Sequence, residues 1–230
     1  MNKKKIFIIG NDGRMGVEIT RFVCEKFSNL YEVDGVGKLS ASNEQELIAK
    51  IKAADLILDF SHFENTRSFL KLITDKNLKS PRVLIGTTGH SQIDLDAWKH
   101  FANKSDAYVL FAPNTSLGIL ALKKAADLIT SLLDRDFSSV LIDTHHDQKV
   151  DKPSGTAKLL QTVLPADTEI ISIRAGGIFG EHEIRFIGQN EEIKISHRAF
   201  NRSLFAEGAL RLGEKLLRAK NAGFYTVDTL

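Results

Sequence analysis

One cysteine in 230 residues, Cys24, leaves no possibility of a disulfide within the chain, which suits a reducing compartment. Four prolines and no low-complexity tract leave no obvious linker. No apolar run approaches the roughly 20 residues that a membrane helix needs. The basic-then-apolar start, MNKKKIFIIG, is too short in its apolar part for a secretory signal and reads as a buried first strand. A cytoplasmic location is the expectation. Charge of one sign is lacking too: 31 Lys+Arg against 29 Asp+Glu leave a net +2, with the basic residues dispersed. Neither nucleic acid nor a membrane is indicated as a partner. The seven histidines show no pair at zinc-site spacing, since the adjacent His145 and His146 would face apart on a strand. HEIRF, from His182, lacks the second histidine of a metalloprotease helix and looks like a strand, so no metal site is expected. Ser154 lies in P-S-G-T rather than in the G-x-S-x-G of a nucleophile elbow.

What is present suits one large or two small domains with a sizeable core: 43% hydrophobic and 26% charged residues. In the first half, strand-like runs at 5–9, 31–36, 56–60, 82–85 and 108–111 alternate with helical patterns at 17–27, 44–51, 66–74 and 95–102. Continuous apolar strands separated by helices predict a parallel sheet covered on both faces. Cys24 falls in the helical run Val17–Phe27 and reads as a small core residue. The second half changes character. A long amphipathic helix, LGILALKKAADLITSLL, follows Ser116 as its N-cap, then a strand at 139–144 and a helix at 154–164. Mostly strand-like sequence follows, with 183–187 and 193–197 alternating around Gly188-Gln189-Asn190 as a hairpin. The predicted fold is α/β: a Rossmann-like domain from 1–116 and 202–230, and a smaller α+β domain from 117–201 for substrate binding and assembly.

Three segments carry the chemistry. GNDGRMG places Gly10, Asn11, Asp12, Gly13, Arg14 and Met15 between the first strand and the first helix. A tight glycine turn there lets backbone N–H groups approach a pyrophosphate at the helix N-terminus, although a purely structural turn has the same spelling. Gly86, Thr87 and Thr88, and Ala112, Pro113, Asn114 and Thr115, each follow a predicted parallel strand, where open α/β sheets bind ligands. HHDQKVDKPSGTA gathers His145, His146 and Lys149 before a helix start at Ser154, whose Gly155 and Thr156 would offer free N–H groups to a carboxylate. On a strand-like path Lys149 would share the side of His145. A histidine can pass a proton near neutrality and a lysine can hold an anion or act as an acid. A solvated basic loop is the alternative for this segment.

Taken together these segments resemble the dihydrodipicolinate reductase family. GNDGRMG, DFS at 59–61, IGTTG at 85–89 and APNTSLG at 112–118 occur in the family's order, and HHDQKVDKPSGTA is similar to its diagnostic H-H-x-x-K-x-D-x-P-S-G-T-A. RAGGIFGEHEIRF, HRAFNRSLFAEGA and the closing GFYTVDTL extend the similarity end to end. The resemblance implies an NADPH- or NADH-dependent reductase of diaminopimelate and lysine biosynthesis, with a small dicarboxylate substrate and no metal. It implies that His145 donates and accepts a proton, that Lys149 donates one, and that His146, Gly155 and Thr156 hold substrate. It also implies a homotetramer, with a dimer as the fallback. Another two-domain nicotinamide dehydrogenase, or a catalytically silent dinucleotide sensor, are the alternatives; the sensor could dispense with His145 and Lys149.

The chain departs from the family pattern by being short after Lys38 and after Leu164, and by having Asp143 for the usual Glu and Lys152 for the usual Ala. The acid expected about 20 residues beyond the glycine turn, on the ribose of the cofactor, is replaced by Gly37 with Lys38 beside it. Lys38 would favour a 2′-phosphate, so use of both cofactors with NADPH preferred is the expectation.

Overall fold

The computed structural model describes residues 2–39, 44–78, 81–133 and 136–230. In chain order the elements are β1 (Lys4–Ile9), α1 (Arg14–Phe27), β2 (Tyr31–Val36), α2 (Glu44–Ala53), β3 (Leu56–Asp59), α3 (Phe63–Asp75), β4 (Arg82–Ile85), α4 (Gln92–Lys104) and β5 (Tyr108–Phe111). They continue with α5 (Leu117–Leu132), β6 (Ser138–His145), α6 (Gly155–Gln161), β7 (Glu169–Arg174), β8 (Glu181–Ile187), β9 (Glu192–Arg198), α7 (Ser203–Arg218) and β10 (Gly223–Thr226). None of the described helices is long and apolar enough to cross a membrane.

The chain forms two units, 1–115 with 205–230, and 116–204. In the first, six parallel strands run in the order β10-β5-β4-β3-β1-β2. The central strands are buried on both faces, as their unbroken apolar runs require. Phe69, Trp98 and Phe101 fill the core between one face and its helices. β10 was not legible beforehand: GFYT is four residues long and only half-buried, too weak a pattern to separate from a loop. The order reverses at β1 and β3, and a crevice opens at their C-terminal ends.

The glycine turn sits there. Gly10 has φ +84°, and a Cβ on it would lie 2.8 Å from the Phe60 carbonyl oxygen. Gly16 is buried against the same turn, 2.5 Å from the Asn11 Cα by the same construction. Burial along α1 follows Gly16, Ile19 and Val23, so Cys24 lies about 100° around the helix from Val23. Cys24 is exposed, contrary to the core position expected of it.

The second unit is a four-stranded mixed sheet, β7-β6-β8-β9, with α5 and α6 over one face. β7 lies inside the strand-like stretch whose limits the sequence left open. α6 ends three residues before the expected Leu164, because Pro165 disfavours helical geometry in the residue before it. The outer face of β8 and β9 is charged, with Glu183 contacting Arg185 at 2.6 Å and Lys194 at 2.5 Å. The exposed apolar side chains of that face include Ile171 and Ile173 on β7 and Ile187 at the end of β8.

Gly10→Ala is expected to destabilise the first unit by about 1–3 kcal/mol, through overpacking and loss of a left-handed residue. A denaturant midpoint equal to that of the parent chain would show that the turn yields more easily than its packing indicates.

Candidate active site

β6 alternates strictly, burying Ser139, Leu141, Asp143 and His145. Asp143 and His145, two residues apart, therefore share the inner face. Register brings the rest: His182 on β8 stands opposite Asp143, and Arg174 on β7 stands beside His145. The Asp143 carboxylate is wholly buried. Its Oδ1 lies 2.9 Å from His145 Nδ1 and 3.3 Å from His182 Nε2. Its Oδ2 accepts from the Ser154 amide at 2.9 Å, Arg174 Nη2 at 3.0 Å and the Ser172 hydroxyl at 3.2 Å. The His145 contact is short but bent away from a linear N–H···O line. Burial alone would raise the Asp143 carboxyl; contacts from His145, His182 and Ser154 outweigh it and hold the group well below the ordinary carboxylate range.

Arg174 does more than balance that charge. Its Nη1 donates to the Asp143 carbonyl at 3.0 Å, and Nη2 donates to the Asp151 carbonyl at 2.6 Å, tying β6, β7 and the following loop together. One ligand atom from each of Asp143, His145 and His182 falls within a 4.8 Å cluster, a grouping that spacing along the chain could not reveal. Asp143 Oδ1 faces both rings, while the Arg174 guanidinium lies against the other carboxylate oxygen.

His145 is oriented from two sides. Asp143 holds Nδ1, so Nε2 is the free edge of the ring for chemistry. A Cβ on Gly180 would lie 3.0 Å from that Nε2, so any larger residue there would press on the ring. Sequence reading missed Asp143, His182, Arg174 and Gly180 as site residues. The signal for Asp143 was its place two residues before His145 on an alternating strand, and for Gly180 its place in the quoted GGIFGE run; His182 and Arg174 are joined to them only by strand register.

β6 ends at His145, which corrects the strand-like path assumed for the following residues. His146 N–H donates to Ile178 O at 2.7 Å, and the Lys149 amide closes a turn onto His146 O at 3.2 Å. Lys149 thus reaches its place by a turn and not by strand alternation. Its Nζ lies 2.8 Å from Asp151 Oδ1. Ser154 caps α6 by accepting from the Ala157 amide at 3.1 Å, as expected. Gly155 follows it at the head of α6, exposed. The Asp151 carboxyl is lowered from its ordinary value, the burial that would raise it being outweighed chiefly by Lys149. Thr156 is half-buried in the same first turn.

In the first unit, Gly10, Asp12, Gly13 and Lys38 line a pocket of 580 Å³ with Phe60, Ser61, His62, Glu64 and Asn65 among its other walls. Gly13 caps α1 without a side chain, and the first turn of α1, which opens with Arg14 and Met15, has no acidic residue. The helix start is therefore suited to an anion, and the turn at the switch point fits a dinucleotide pyrophosphate. Asn11 leans on Gly35 of β2. Gly86 lies under the Phe60 ring, Thr87 donates to Asp59 Oδ1 at 3.0 Å, and Thr88 is exposed. Ala112 is buried, Pro113 exposed and Asn114 half-buried, while Thr115 donates to Phe205 O at 2.8 Å. The side chains of Thr87 and Thr115 are thus engaged with the protein, and these two segments follow β4 and β5, outside the pocket.

A Rossmann-like parallel sheet followed by a mixed sheet that carries a carboxylate-held histidine defines a two-unit α/β oxidoreductase. The comparisons with known proteins agree. Residues 4–115 match the family model described as dihydrodipicolinate reductase, N-terminus, and 118–230 match the C-terminus. A curated 4-hydroxy-tetrahydrodipicolinate reductase of Chlamydia muridarum is 33% identical over 243 residues, spanning 99% of this chain and 95% of that protein. One of Staphylococcus aureus (strain Newman) is 34% identical over 249 residues, spanning 98% of this chain and 100% of that protein. The solved dihydrodipicolinate reductase of Paenisporosarcina sp. TG-14, described as dipicolinate-bound, shares the fold at a TM-score of 0.77 and 24% identity, over 97% of this chain and 98% of that one. The chain belongs to the dihydrodipicolinate reductase family.

The network sets a pH dependence. Burial lowers His182, Asp143 opposing it, and burial likewise lowers His90 and His197. Below about pH 6.5 the unfolded chain takes up protons that these folded rings resist, so stability falls as pH falls. The depressed Asp143 adds a further loss below about pH 4, where the unfolded carboxylate protonates first. Melting temperatures measured from pH 8 to pH 3.5 should decline in that order, and His182→Gln should shrink the first step. Asp143→Ala should cost about 3–5 kcal/mol at neutral pH, since it strands the buried Arg174. A pH-independent melt, or a stable Asp143→Ala chain, would contradict this account.

Proposed function

We propose that the chain reduces 4-hydroxy-tetrahydrodipicolinate, by way of dihydrodipicolinate, to tetrahydrodipicolinate, in diaminopimelate and lysine biosynthesis. The observation that carries this reading is the His145 ring held by buried Asp143, four residues before a lysine and followed by the Ser154–Thr156 helix start. In this reading the first unit holds NADH or NADPH through Gly10–Met15 with Lys38, Gly86–Thr88 and Ala112–Thr115, and the second unit holds the dicarboxylate.

A bound reduced nicotinamide supplies hydride to ring C4 of the unsaturated cyclic imine, once the hydroxylated precursor has lost water. The enamine left on the substrate then requires one proton. His145 is the donor from Nε2, with Asp143 stabilising the charged ring and fixing which nitrogen faces Asp143. Lys149 supplies positive charge and a second proton source. His146, Gly155 and Thr156 hold the substrate, a carboxylate taking up the interaction that Asp151 makes with Lys149. Lys38 and Asp12 put a cation and an anion in one pocket, which supports use of both cofactors.

We further propose assembly into a homotetramer through the outer face of the mixed sheet, whose exposed Ile171 and Ile173 would gain from burial. Light scattering at micromolar concentration should give four chains per particle; a monomer would refute it.

Nicotinamide oxidation, followed by absorbance with the product of dihydrodipicolinate synthase as substrate, tests the reaction. His145→Gln and Lys149→Ala should each lower kcat by about 100-fold or more with the fold retained, while Thr156→Val should mainly raise KM. Full turnover in both His145→Gln and Lys149→Ala would remove the proposed proton donors.

A further inference from the structure

The acid that commonly holds the cofactor ribose is missing from the tip of β2, where Gly37 stands. The space it would fill is occupied. A Cβ placed on Gly37 would lie 2.5 Å from Asp12 Cγ and 2.7 Å from Oδ1, and closer still to Oδ2. Asp12 comes from the glycine turn, and its carboxylate therefore lies where a side chain at 37 would begin. The neighbouring pair repeats the arrangement: a Cβ on Gly35 would meet Asn11 Cβ at 2.8 Å. Asn65 fixes the segment beneath, donating to Gly37 O at 3.3 Å and accepting from the Leu39 amide at 3.0 Å. Asp12 is exposed to the 580 Å³ pocket, and among the described residues its carboxylate has no hydrogen-bond or ion-pair partner.

We propose that Asp12 is the ribose-binding acid of this chain and makes NADH the preferred cofactor. This rests on the dinucleotide reading above. A carboxylate in that position accepts hydrogen bonds from the 2′- and 3′-hydroxyls of an adenosine ribose and repels a 2′-phosphate. Lys38, exposed beside Gly37, still admits NADPH, but it is a solvated side chain whose attraction is screened. The order of preference expected from Lys38 alone is thereby reversed. Glu64 is the other acid lining the pocket, on α3 and outside the contact with Gly37, and it serves as the control.

Calorimetric titration of the full chain with NADH and with NADPH tests this without reference to turnover. The parent chain should bind NADH more tightly. Asp12→Ala should shift the affinity ratio toward NADPH by about tenfold or more, the effect of one charge-assisted contact. Asp12→Asn, which keeps the volume, should shift it the same way and covers the case where the alanine variant fails to fold. Lys38→Glu should move the ratio toward NADH, and Glu64→Gln should shift it less than either Asp12 change. The double change Asp12→Gly with Gly37→Asp, which returns the acid to the strand tip and clears its space, should restore NADH preference. A parent chain that favours NADPH, an unchanged ratio in folded Asp12→Asn, or a shift confined to Glu64→Gln would overturn the assignment. Failure of the parent chain to bind either dinucleotide would overturn the cofactor reading itself, and this with it.

Discussion

A single buried negative charge organises the second unit. Asp143 is shut off from the solvent surface, and the protein surrounds it with partners from four places: β6, β7, β8 and the start of α6. Each of those partners is in turn held by the charge. His145 gains its orientation this way, Arg174 its burial, and Ser154 the anchoring of its amide at the head of α6. Removing the charge would strand a guanidinium that is almost fully buried. A carboxylate so enclosed is a rigid reference point, and the histidine two residues on shares its strand.

The first unit solves a different problem by omission. At the switch point of its sheet the chain needs backbone near backbone, and Gly10 and Gly16 allow it by having no side chain. The same omission leaves α1 without a side-chain cap, so its first amide groups are available to an anion. Asp59 contributes from the next strand, buried and accepting from Ser61 and Thr87, which draws the ends of β3 and β4 together.

How much of this could be read from the sequence depended on the range of the interaction. The parallel strands announce themselves, since four consecutive buried residues such as Ile6–Ile9 are spelled as an apolar run. His145, Lys149 and Ser154 were nameable because they fall in one short segment. His182, Arg174 and Gly180 were not, although they touch or flank the same ring, because strand register joins residues some thirty positions apart and leaves no local trace. Alternation misled in one place: carried past the end of β6 it gave Lys149 a strand position, whereas the chain had already turned. Helical periodicity misled in another, where Cys24 sits next to buried Val23 but on the solvent side.

The fit of the glycine turn against β2 bears on how such a chain could have diverged from its relatives. Asn11 rests on Gly35 and Asp12 on Gly37, so each side chain of the loop is matched by an absence on the strand. A lineage that gained a side chain at 37 while keeping Asp12 would pass through a crowded intermediate, and one that lost Asp12 first would leave a gap. The two positions are therefore expected to be inherited as a pair, and homologues that differ at one should differ at the other.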